Sequence, residues 1–128
     1  MTLLAIVLSL KIAVTLIFVA IPLLLLPVEQ VRRLTGLSGD LVLLRLYGVA
    51  ILALLIGYGF GLSDAMGGWM PTGVMVMGIV SNGGAAFTLQ SAGGRHALPA
   101  LIFLGFAVAL AAGLIWPNLA MRQVFALS

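Results

Sequence analysis

Charge is what this chain has least of. Among its 128 residues only 7% are Asp, Glu, Lys or Arg, against about 25% in an ordinary soluble domain. No hydrophilic stretch is long enough to make a separate soluble unit, so residues 1–128 read as one domain within or against a bilayer. Cysteine is absent, which excludes disulfides, thiolate metal sites and thiol catalysis. Only three acids occur, Glu29, Asp40 and Asp64, and each falls at a helix end or in a loop. Ion-coupled transport relies on an ionisable group deep in the membrane. A small dimeric drug exporter would need a carboxylate inside its first helix, and this chain has none there. There is no Ser/His/Asp set, no pair of acids, no metal-ligand spacing and no phosphate loop. The lone histidine, His96, stands beside Arg95 in a loop and is a poor metal ligand. The expectation is a protein that is not an enzyme and carries no cofactor or metal. Six Lys and Arg are scattered without a run, so the net charge of +3 reads as topology information and no nucleic-acid partner is expected.

What the chain has in abundance is apolar sequence, 63% of it, in four long runs. The runs predict helices at about residues 3–28, 41–62, 70–90 and 97–116, and together an all-α polytopic membrane protein, an antiparallel bundle of four transmembrane helices. In the first run Lys11 leaves two arrangements open. Ile12 to Val28 can cross the bilayer with the first ten residues at the interface, or Lys11 lies in the membrane and must snorkel or find a partner. Lacking a charged leader and a small-residue cleavage site, the N-terminus is not expected to be a cleaved signal. Pro27 to Asp40 has loop composition, and Ser38 or Asp40 suits the N-cap of the second helix. In that helix Leu46 to Leu62 is 17 residues long with no ionisable group except tyrosine, close to the lower limit for a span.

Orientation follows from the loops. Arg32, Arg33, Arg45 and Arg95 fall on one side, with Arg122, and Lys11 when it lies at the interface, on the other, so the positive-inside rule places both termini outside. Trp69 and Trp116 then sit at the outer boundary, where indoles favour the interface. Membrane lipids are the expected surroundings.

Three groups of residues stand out as candidate sites. Ala53, Gly57 and Gly61 on the second helix, and Gly105, Ala109 and Gly113 on the fourth, repeat small residues every fourth position, a pattern that lets helices approach closely in lipid. The second helix is therefore expected to pack on the fourth, unless one row is kept for another copy or another integral membrane protein. Ser81 and Asn82 are polar in the middle of the third helix, and suit either an interhelical hydrogen bond or a ligand. Gly83 and Gly84 beside them are expected to weaken or kink that helix. Arg32, Arg33, Arg45 and Arg95 are candidates for inner-face lipid contacts or ion pairs, Arg45 with Glu29 or Asp40 in particular.

The segment Leu44-Arg45-Leu46-Tyr47-Gly48, following a helix that ends at Pro27 and a short loop, resembles small bacterial four-helix integral membrane proteins of the DoxX-like kind and related uncharacterised families. The resemblance implies a four-helix bundle located in a bacterial inner membrane and transfers no catalytic residue. Missing chemistry and surplus small-residue surface point to an accessory or stabilising subunit of a larger membrane assembly, of respiratory or photosynthetic type. The alternative is a binder or carrier of a lipid, quinone or other small hydrophobic molecule.

Overall fold

A computed structural model describes residues 1–35, 37, 39–92 and 97–124. Helix α1 spans Leu3–Thr15, runs into a π-helical turn at Leu16–Ala20, and continues as α2, Ile21–Leu25. Helices α3 to α7 are Val28–Thr35, Leu41–Met66, Thr72–Ser91, Ala97–Ile115 and Pro117–Ala120. Among the described residues four stretches are long and apolar enough to cross a membrane: Leu3–Leu25, Leu41–Met66, Thr72–Ser91 and Ala97–Ile115. Among the described residues the only β pairing is an isolated bridge between Thr2 and Gln123, which brings the beginning and end of the described chain to the same end of the molecule.

The local chemistry explains where these helices start, bend and stop. Thr2 caps α1, its Oγ1 accepting from the Ala5 amide at 3.1 Å. Pro22 lacks an N–H, so the preceding turn cannot close its usual bonds. The chain instead widens into the π turn, with the Ile21 amide donating to the Leu16 carbonyl. Leu26 is extended, as the residue before a proline prefers, and there the first span ends. Asp40 caps α4 through a 2.6 Å bond from the Val42 amide to Oδ1. Gly67 and Gly68 terminate it, Gly68 at φ +85, a left-handed conformation that a side chain would resist.

Two expectations about local structure change. Residues 28–35, read as loop, form the amphipathic helix α3, which buries Val31 and ties Glu29 to Arg32 and Arg33 one turn on. Gly83 and Gly84 do not interrupt α5, which is α-helical from Thr72 to Ser91, so the irregularity falls at Pro22 instead. Of the two proposed capping residues Asp40 is the observed one, and Ser38 lies outside the described residues.

Helix α4 packs along α1, the π turn and α2, and on its other side meets α5; α6 packs along the length of α5 and meets α1 over a shorter stretch. The expected packing of the second span on the fourth is therefore corrected. A Cβ placed on Gly61 would lie 2.7 Å from Val74, and one on Gly57 3.2 Å from Met77, both residues of α5. Ala53 is exposed. On α6, Gly113 faces Met75 of α5, whereas among the described residues no packing neighbour comes within 4 Å of the Cβ position of Gly105, and Ala109 is exposed. Periodicity identifies a row of small residues but not the helix opposite it, and with short connections the sequence neighbour takes that place.

Candidate functional site

Four apolar stretches close around one polar centre. Lys11 on α1 is only 4% exposed and Asn82 on α5 only 2%. Counting 1.5 Å per residue, Lys11 lies about 12 Å from the start of its span, and Asn82 is the eleventh residue of the 20 in α5. Both are thus well inside their helices. Lys11 is enclosed by the bundle and has a partner in Thr15, which is what its second arrangement calls for.

Each helix contributes to this centre. From α1, the Lys11 Nζ donates to Thr15 Oγ1 at 3.0 Å, an i,i+4 contact one turn ahead of the π segment. From α6, the rings of Phe103 and Phe106 each stand 5.1 Å from Nζ, and from α4 the ring of Tyr58 stands 5.6 Å away. These distances are within the range in which an ammonium is attracted to an aromatic face. From α5, Asn82 Nδ2 donates to Tyr58 Oη at 3.1 Å and to the Gly78 carbonyl at 2.6 Å. The Ser81 hydroxyl donates to the Gly78 carbonyl at 3.3 Å, which leaves the Tyr58 hydroxyl to donate to Ser81 Oγ, also at 3.3 Å. Gly78 makes the approach possible: a Cβ there would come within 2.8 Å of Tyr58 Oη and would also collide with Leu110.

Two valences are left over. No acidic side chain is ion-paired with Lys11 among the described residues, because the ion pairs found are those of Glu29 with Arg32 and Arg33. No donor reaches Asn82 Oδ1 among the described residues either, although its amide nitrogen makes two bonds.

A second cluster closes the far end of the first span. Pro27 cannot donate to the Leu23 carbonyl, and the extended Leu26 exposes its own carbonyl. Arg45 reaches across from α4 to fill both, Nη1 to Leu23 O at 2.5 Å and Nη2 to Leu26 O at 2.8 Å. The expected acidic partner for Arg45 is corrected accordingly, since Glu29 is occupied by Arg32 at 2.9 Å and Arg33 at 3.6 Å, and backbone carbonyls take its place. Arg32 and Arg33 are exposed on α3. Arg95 and His96 lie outside the described residues.

Sequence reasoning singled out Asn82 and Ser81, and the structure joins them. It missed Tyr58 and Thr15, and left Lys11 open. Spacing held a signal for one link: Lys11 and Thr15 are four residues apart in an otherwise apolar run, so they share a helix face. Nothing in the sequence marked Tyr58 as their neighbour, because it entered only as part of an apolar run. Two shallow depressions are found away from this centre, one lined by residues Ile115 to Leu119 and the other by Leu3, Leu119 and Arg122 to Val124. No group of three or more potential metal-ligating side chains occurs among the described residues. No protein-family model, curated protein or solved structure matches the chain.

Proposed function

We propose that this chain is an integral membrane protein, an antiparallel bundle of four transmembrane helices with both termini outside a bacterial inner membrane, serving as a non-catalytic accessory or stabilising subunit of a larger membrane assembly. The observation that carries the membrane part is the inversion of polarity. Lys11, Thr15 and Asn82 are buried, while Phe18, Phe60, Phe87 and Leu101 are between 58% and 76% exposed on the four spans. Water would penalise that surface on every helix, whereas hydrocarbon accommodates it and drives the polar groups inward.

The subunit part draws support from how the polar groups are used. Arg45 closes a broken helix end, and the Asn82–Tyr58–Ser81 chain joins α5 to α4, so hydrogen bonding is spent on holding helices together. The faces turned outward, Gly105 and Ala109 among them, remain smooth enough for a neighbouring helix to approach. Likeness to DoxX-like proteins adds the four-helix layout alone.

Extraction in a mild detergent followed by native electrophoresis and identification of co-migrating proteins tests this reading. A reproducible set of integral membrane partners is expected. A chain that runs only as monomer or homodimer, with nothing accompanying it, overturns it.

A further inference from the structure

We propose that the Lys11 centre is a binding site for the carboxyl head of a membrane-dissolved long-chain acid, reached from the side between α1 and α6. The inference rests on the membrane reading above and on no partner protein. Its starting point is the pair of unfilled valences. Lys11 brings a cation into the middle of four apolar helices with one hydroxyl, Thr15, and three rings around it, and with no ion pair to an acidic residue among the described residues. Asn82, on the other side of the Tyr58 hydroxyl, presents a buried carbonyl oxygen that nothing among the described residues donates to.

A carboxyl group answers the first of these directly. As carboxylate against ammonium, or as acid against amine with the same single proton shared between them, the pair carries no net charge and costs far less in hydrocarbon than a lone cation. The depth selects the kind of acid. The hydrocarbon core is about 30 Å thick, so a lipid phosphate held at the surface stays roughly 15 Å from the midplane. A fatty acid in its neutral form can leave the interface and bring its head to that depth. Its alkyl chain then stays in the surrounding lipid, so only the head has to be admitted.

The way in is set by burial. Tyr58 is 1% exposed, but Phe103 and Phe106 are only half-buried, and they are the parts of the cage nearest the outside. Both stand on α6 where it meets α1 over a short stretch, in contrast to the full-length packing of α6 on α5. Rotation of two phenylalanine rings therefore uncovers Nζ without separating helices that are packed along their whole length. The π turn directly after Thr15 gives α1 an irregular segment close to this seam.

Lys11 is the sole lysine of the chain, so labelling with lysine carrying 15N at Nζ yields one signal from the wild-type protein. We expect oleate with a 13C carboxyl, added to the protein in detergent micelles, to shift both the Nζ and the carboxyl signals saturably at one equivalent. Methyl oleate and oleyl alcohol should leave the Nζ signal in place. Lys11→Met should weaken oleate binding at least tenfold, with helix content by circular dichroism as the check on folding. Absence of a saturable shift, an equal response to methyl oleate, or oleate affinity in folded Lys11→Met within twofold of wild type each overturns the site. The wild-type titration decides the matter if the variant fails to fold. A chain that does not partition into micelles at all overturns the membrane reading instead, which keeps the two failures apart.

Discussion

Arg45 and Lys11 are both cations drawn in among apolar helices, and the structure treats them in opposite ways. Arg45 stands at a helix end where a proline and an extended residue have released two carbonyls, and its planar fork fills both. Lys11 stands inside the α-helical part of α1, and its contacts among the described residues are a hydroxyl and three rings. On this contrast Arg45 is a structural part that completes a helix end, while Lys11 is a charge that no released backbone group calls for. Stability measurements on single substitutions separate the two.

The largest effect is expected at Arg45. Arg45→Met leaves the Leu23 and Leu26 carbonyls without donors and removes two charge-assisted bonds, for which a loss of about 3 kcal/mol is reasonable. Reversible unfolding in mixed micelles measures it. Lys11→Met should go the other way or nowhere. Replacing a buried charge by an apolar side chain of similar volume is often neutral or stabilising by about 1 kcal/mol or more, and the lost attraction of the rings offsets part of that. If Lys11→Met were as damaging as Arg45→Met, the contrast would collapse and the lysine would be a structural part as well.

Tyr58→Phe comes next in size. It deletes the hydroxyl that accepts from Asn82 and donates to Ser81, keeping the ring beside Lys11. Hydrogen bonds between membrane helices average about 0.6 kcal/mol and reach about 1.7 kcal/mol, so a loss near 1 kcal/mol is expected in the same unfolding assay. Because the ring remains, oleate binding should change less than twofold, which sets the α4–α5 bond apart from the lysine's environment.

How much of this was legible in the sequence depended on the range of the interaction. The four long apolar helices, the Asp40 cap and the polar middle of α5 follow from composition and spacing within one helix. Helix α3 was hidden by its polar residues, since an eight-residue amphipathic helix has the composition of a loop. The π turn follows from Pro22 only once the helix is known to continue past it. Contacts between helices were the least readable. An acid for Arg45 is suggested because charge complementarity can be seen in a sequence, whereas the Leu23 carbonyl that Pro27 leaves without a donor, 22 residues before Arg45, is a backbone vacancy that side-chain chemistry does not display. Tyr58 was passed over for the same reason: its meaning comes from Lys11 on one side and Asn82 on the other.

Gly105, in the row of small residues on α6, gives the smallest effect on folding and the sharpest test of assembly. On α4 the row is used inside the chain, Gly61 against Val74 and Gly57 against Met77. On α6 it is divided, with Gly113 against Met75 and Gly105 facing no neighbour within 4 Å among the described residues. Gly105→Leu should therefore leave stability within about 0.5 kcal/mol of wild type, as for a surface change that touches no neighbour. Gly61→Leu, by contrast, must displace Val74 and should be clearly destabilising. If the chain is a subunit of a larger assembly, Gly105→Leu should still fold but lose its co-migrating partners on a native gel, because a bulky side chain at that point holds an approaching helix away. A Gly105→Leu protein that keeps both its stability and its partners would move the partner surface to another face, leaving the row on α6 as lipid-facing surface with only Gly113 used in packing.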